Sequence, residues 1–99
     1  MITLFVTYAG TADTPFDRDH WVNVHLPLVR ECWGPYGLVR VDGFFPAGDG
    51  AGLIAIAPCL FRDEAAMEAA LASPETARVM ADVDRVTEVQ PQRSVARPL

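Results

Sequence analysis

Nine consecutive positions, Leu53 to Phe61 (LIAIAPCLF), carry no charge and no polar group beyond a thiol. The run is too short to cross a bilayer, which takes about 20 apolar residues as a helix. It follows the Gly-rich stretch Ala47 to Gly52 (AGDGAG), so it reads as a buried strand. Leu53, Ala55, Ala57, Cys59 and Phe61 would face one side, and Ile54, Ile56, Pro58 and Leu60 the other. A strand apolar on both faces needs cover on both. A chain of 99 residues makes one domain, here 1–99, with limited material for that cover.

The remaining elements follow from periodicity and punctuation. Ile2 to Tyr8 (ITLFVTY) is rich in β-branched and aromatic residues and reads as the first strand. Asp13-Thr14-Pro15 signals a helix start, a capping side chain followed by proline, and the helix is expected to run to Trp33, before Gly34-Pro35. Leu38 to Phe45 reads as the second strand, forming a loose hairpin with Leu53 to Phe61. Asp63 caps a short Ala-rich helix to Ala72. Ser73-Pro74-Glu75 starts another, to Val83, and Val86 to Val95 is the fourth strand. Pro58 and Pro91 lack a ladder N–H and are expected at a bulge or a free edge. The order is βαββαβ, the ferredoxin-like α+β arrangement, with a four-stranded antiparallel sheet and its helices on one face. The second sheet face then needs a partner, and a second copy of the chain is the simplest, giving a homodimer.

Composition excludes several functions. The net charge is −5 and there is no basic run, which disfavours nucleic acid and anionic membrane as partners. All eight cations are Arg, which with the many Ala suits a GC-rich bacterial genome. The opening Met-Ile-Thr-Leu-Phe-Val has no charged leader and no cleavage site, so a cytoplasmic location is expected. Cys32 and Cys59 lack metal or redox spacing and read as buried small residues. Neither a Gly-x-Gly-x-x-Gly loop nor a Gly-x-Ser-x-Gly elbow is present, so no cofactor is expected.

The first helix holds the chemistry. On a regular helix Trp21, Val24, His25, Leu28 and Cys32 form one apolar stripe facing the sheet. His25 therefore lies on the buried side and His20 at its margin. The two are about 140° apart around such a helix, too far to grip one metal ion, and no metal site is expected. Pro27 lies inside the helix, deprives the Asn23 carbonyl of its donor and should bend the helix. His25 is then either a pocket residue or a core histidine bonded to main chain. Arg40 and Asp42 read as a surface pair on the second strand. Glu64, Glu68, Glu75, Asp82 and Asp84 read as a solvated helical face.

The segment Trp21-Val22-Asn23-Val24-His25-Leu26-Pro27-Leu28 resembles the Tyr-x-x-x-His-x-Pro-Leu signature of the EthD family, with Trp21 where that family usually has tyrosine. The first strand, the Gly34-Pro35 stop, the Gly-rich hairpin turn and the Phe61-x-Asp63 helix entry are also similar, so the likeness covers nearly the whole chain. It implies a dimeric α+β barrel. Related barrels, among them antibiotic-biosynthesis monooxygenases and muconolactone isomerases, hold small organic ligands between each sheet and its own helices.

By aromatic character Tyr8, Trp21, Tyr36, Phe44 and Phe61 read either as the wall of an apolar pocket or as simple core. The resemblance implies a small hydrophobic ligand with His25 as a general acid/base, and the expected cavity is wide enough for an aromatic ring and walled by some of Tyr8, Trp21, Tyr36 and Phe61. The chemistry it implies is a cofactor-independent oxidation or an isomerisation of an enolisable metabolite. The alternative is a non-catalytic accessory protein that binds a metabolite or a partner enzyme.

Overall fold

The computed structural model describes all residues, Met1–Leu99. Four antiparallel strands form one sheet in the order β2-β3-β1-β4, with β1 Ile2–Ala9, β2 Leu38–Val41, β3 Leu53–Phe61 and β4 Gln92–Ala96. Three helical segments complete the ferredoxin-like α+β fold. The first, α1, is continuous over residues 18–33 and has three parts: an α-turn Arg18–His20, a π-turn Trp21–His25 and an α-helix Leu26–Trp33. The others are α2, Glu64–Ala72, and α3, Glu75–Val86.

Strand parity places the core. Leu4 pairs with Cys59, Val6 with Ala57 and Tyr8 with Ala55 across β1 and β3. Leu4, Tyr8, Ala55, Ala57 and Cys59 are buried beneath Trp21, Val29, Trp33, Val79 and Val83 of the helices. The alternate pairs Thr3–Leu60, Phe5–Pro58 and Thr7–Ile56 lie on the other face and are only half-buried.

Pro58 sits inside an internal strand. Its carbonyl accepts from Asp42 N, so its donorless nitrogen faces the place where β2 has ended. β2 stops at Val41 rather than continuing to Phe45, and Phe44 rejoins the sheet only as a bridge to Ile56. Gly43 explains the break. A Cβ there would lie 2.6 Å from Leu26 Cδ1 and 2.9 Å from Trp21 Cζ3, so the bare backbone is pressed against α1.

Two other boundaries differ from the sequence expectation. α1 begins after Asp17, whose carboxylate accepts from His20 N at 3.0 Å, and not at Asp13-Thr14-Pro15. Residues 15 and 17 are instead tied to the end of α3, where Thr87 Oγ1 donates to Pro15 O at 2.8 Å and Asp17 N donates to Val86 O at 2.8 Å. That end is helical through Val86, so β4 starts at Gln92 and not at Val86. Val79, Val83 and Val86 form the buried stripe of α3, and the core interaction of that stripe overrides the β-propensity of valine.

No helix is long and apolar enough to cross a membrane. Both cysteines are free and buried. Arg40 and Asp42 pair at 2.8 Å on the exposed surface.

Candidate functional site

The π-turn decides what α1 presents to the sheet. Leu26 N donates to Trp21 O, five residues back, and Pro27 follows with no N–H to offer the preceding turn. An i→i+5 turn contains one residue more than an α-turn. It shifts the apolar stripe by one position, so Leu26, Val29 and Trp33 are buried beyond it, while Val24 is exposed and Leu28 only half-buried. Of the stripe expected from a regular helix, Trp21, His25 and Cys32 are buried as expected, while Val24 and Leu28 are displaced from it.

The same extra residue brings both histidines to one partner. Residues five apart stand nearly above one another across such a turn, and the rings of His20 and His25 both meet Asp82 of α3. His20 Nε2 lies 3.0 Å from Asp82 Oδ1, and His25 Nδ1 lies 2.9 Å from Asp82 Oδ2. Asp82 thus belongs to the site and not to a solvated face; its side chain is 12% exposed. An ionised carboxylate only accepts, so both ring nitrogens facing it carry protons. That fixes His25 as the Nδ1–H tautomer with the Nε2 lone pair pointing away from Asp82.

Burial pushes the His25 imidazole below its ordinary pKa of 6.5, against the hydrogen bond it donates to Asp82. The imidazole is then neutral at pH 7, and Nε2 is an acceptor. Burial pushes Asp82 up, but the hydrogen bonds from His20 and His25 outweigh it and hold the carboxylate below its ordinary value. No group of three His, Cys, Asp or Glu side chains is arranged to hold a metal ion.

His25 borders a largely apolar cavity between the sheet and its helices. Tyr8, Trp21, Ala57 and Cys59 line its floor and wall, and Val79, Met80 and Val83 of α3 close it. Arg93 of β4 is at its rim, where the guanidinium lies 3.6 Å from Met80 Sδ. Tyr8, Phe16, Trp21 and Phe45 pack as an aromatic cluster with ring centroids 5.3–6.4 Å apart, edge-to-face except for the tilted Trp21–Phe45 pair. Burial raises the Tyr8 phenol to about 12 and the Cys59 thiol to about 12. Both therefore stay protonated, and the thiol is no nucleophile.

The EthD domain profile matches residues 11–89. The chain belongs to the EthD family. Its fold is similar to that of an EthD-like protein from Ralstonia eutropha JMP134, with 20% identity and a TM-score of 0.80 over 97% of this chain and 89% of that one. An EthD family protein from Bacillus halodurans C-125 is similar at 18% identity and a TM-score of 0.72, over 100% of this chain and 99% of the other. SnoaB, a cofactor-independent oxygenase from Streptomyces nogalater, shares the fold at 13% identity and a TM-score of 0.59, over 99% of this chain and 93% of that one. No curated protein matches the chain in sequence.

In this EthD protein the residues expected to form one pocket fall into two groups. Tyr8, Trp21 and His25 meet at the cavity. Tyr36 and Phe61 do not line it. Phe61 is fully buried against Trp33, with centroids 5.9 Å apart, and Tyr36 closes the 3-10 turn Gly34–Tyr36. Nor is the cavity wide enough for a ring as it stands. Its volume is about 30 Å³, room for a water, whereas an apolar cavity that takes benzene measures roughly 150 Å³. The tight packing of α3 against α1, through Val79 and Val83 and the Asp82 bonds, sets that size.

Sequence reasoning missed Asp82, Met80 and Arg93. For Asp82 a signal existed. It falls within the Val79-Val83-Val86 face of α3, and a carboxylate on the edge of an apolar stripe needs a partner.

Proposed function

We propose that this EthD protein binds a small hydrophobic, enolisable molecule in the cavity between the sheet and its helices. His25 acts there as a general base. The observation that carries this is the His25 ring itself: Nδ1–H is tied to Asp82, and Nε2 has no partner within the chain although only 4% of the residue is exposed. A neutral imidazole, oriented by a carboxylate and facing an apolar space, is suited to take a proton from carbon beside a carbonyl. The C–H pair then forms the enol C=C bond, and the carbonyl π pair moves to oxygen. Where the substrate carries a C=C bond conjugated with the enol, return of the proton from the His25 imidazolium to the far carbon of that bond shifts the double bond and completes an isomerisation. A ring-sized ligand enters by displacing the rim, where the unbranched Met80 and the exposed Arg93 are the side chains freest to swing aside.

Solvent deuterium exchange into the α-positions of phenylacetone, followed by proton NMR, tests this. The protein should accelerate exchange, His25→Ala should abolish the acceleration, and Asp82→Asn should reduce it about tenfold or more. If the wild-type protein exchanges no faster than buffer, His25 is not a base for such carbon acids. The small cavity favours one other reading, a non-catalytic binder that assists a partner enzyme, and that result would turn the assignment to it.

We also infer that the chain works as a homodimer joined through the helix-free sheet face. Phe5, Ile56, Pro58 and Leu60 lie half-buried there and Phe44 is 55% exposed, an apolar field of the kind that marks an interface. Light scattering at micromolar concentration should give twice the chain mass, and Phe5→Asp should halve it. A wild-type monomer would end this idea.

A further inference from the structure

Trp21 is the most completely buried aromatic side chain next to the cavity, 0% exposed, and its indole Nε1–H has no hydrogen-bond partner in the chain. No other side-chain nitrogen or oxygen wholly shut off from solvent is left in that condition; His25 Nε2, also without a partner, is not shut off in this way. A buried donor without an acceptor costs about 1–3 kcal/mol, so it calls for an explanation in function. The other indole of α1 shows what the fold does when it only needs to be stable: Trp33 Nε1 donates to Thr76 Oγ1 at 3.0 Å.

The placement of Trp21 is fixed from three sides. Its benzo end, Cζ3 and Cη2, is packed at the backbone of Gly43. Its ring is gripped by Tyr8, Phe16 and Phe45. The N–H edge lies beside the Tyr8 hydroxyl, near enough to work against the burial that raises that phenol's pKa but outside hydrogen-bond geometry, and Tyr8, Trp21 and His25 line the same cavity.

We propose that the Trp21 indole N–H is the oxygen-binding donor of this site, receiving the carbonyl oxygen of the ligand and holding the oxyanion that forms as His25 takes the proton. This rests on the reading of His25 as a base. An indole N–H can only donate, and a rigid donor in an apolar space stabilises developing negative charge far more than water would. The Tyr8 hydroxyl, which stays protonated, is the second donor beside the same position. The ligand class follows: a flat apolar molecule carrying one acceptor oxygen, as a ketone, an enol or a phenol, in preference to a plain hydrocarbon.

Two probes of equal shape test the assignment, 4-chlorophenol and 4-chlorotoluene, which differ in the oxygen alone, titrated into the 15N-labelled protein. Trp33 also borders the cavity, but its indole N–H is already bonded to Thr76, so its signal reports the nearness of a ring and not a new hydrogen bond. With 4-chlorophenol the Trp21 indole proton should move downfield relative to its position with 4-chlorotoluene, while the Trp33 indole proton should respond alike to both. Trp21→Phe should weaken 4-chlorophenol binding about tenfold or more and leave 4-chlorotoluene no weaker. If both probes shift the Val79 and Val83 methyls but the Trp21 indole does not respond to the phenol beyond its response to the toluene, the oxygen site is wrong and the ligand cavity stands. Equal weakening of both probes by Trp21→Phe also overturns it, because Trp21 would then be wall only. If neither probe perturbs those methyls, the cavity reading and this inference fall together.

Discussion

The two tryptophans of α1 stand at opposite ends of one helix, and their surroundings differ in kind. At the Trp33 end every group is answered. The indole donates to Thr76, Thr76 Oγ1 donates to Ala70 O at 2.8 Å, and Phe61 fills the space behind. At the Trp21 end, across the π-turn, polar groups are brought into the core and some are left open. Asp82 holds two imidazoles, His25 keeps a free nitrogen, and Trp21 keeps a free N–H. Closed hydrogen bonding and close packing mark the part of the fold that supplies stability. Groups held in place but unanswered mark the part that waits for something else.

The comparison is best broken at its closed end. Phe61→Ala should cost about 3–5 kcal/mol in urea unfolding, the range for a fully buried phenylalanine, while the His20 and His25 ring signals keep their wild-type shifts. If the histidine signals move as much as the stability does, the two ends are not separate. Gly43→Ala comes next, at about 1–3 kcal/mol for overpacking. Its new methyl strikes Leu26 and Trp21, so it should disturb the Trp21 indole signal and spare that of Trp33. An unchanged Trp21 signal would mean that the loop yields and not the ring.

The smallest effect is on pH dependence, and it belongs to the open end alone. The folded protein holds His25 below 6.5, so on acidification the unfolded chain takes the proton first. The stability contributed by the neutral ring is present above pH 6.5 and is lost as pH falls toward the folded value. Asp82, also held low, adds a second loss below 3.8. Urea midpoints at pH 7.5 and 5.5 should therefore fall with acid in the wild type. The slope should flatten in His25→Phe and survive in Phe61→Ala. A slope that persists in His25→Phe would place its origin elsewhere.

Much of this was legible in the residues. The two-faced strand Leu53–Phe61, the order of elements and the cap at Asp63 all rest on local rules that the fold obeys. His25 was legible as a buried-side residue because it precedes the shift in the stripe. Asp82 and the convergence of His20 on it were not, because they depend on one residue inserted into a helical turn. Hydrophobic periodicity assumes a constant number of residues per turn, and only Pro27 hinted that the count fails here. Tyr36 and Phe61 were drawn into the site by aromatic character, which does not tell a wall from a core.

The π-turn also makes α1 an α-helix with one residue to spare. Val22, Asn23 and Val24 all face solvent, so the surplus lies where nothing packs upon it. Excising Asn23 would return the segment to an uninterrupted α-helix while Trp21 on one side and Leu26–Trp33 on the other keep their seats against the sheet. The histidines would then stand four apart, neighbours on one face of a regular helix, so the double hold on Asp82 should survive the excision. The grip on the carboxylate thus depends on the turn and the spacing of the histidines changing together: one residue fewer needs a turn one residue tighter.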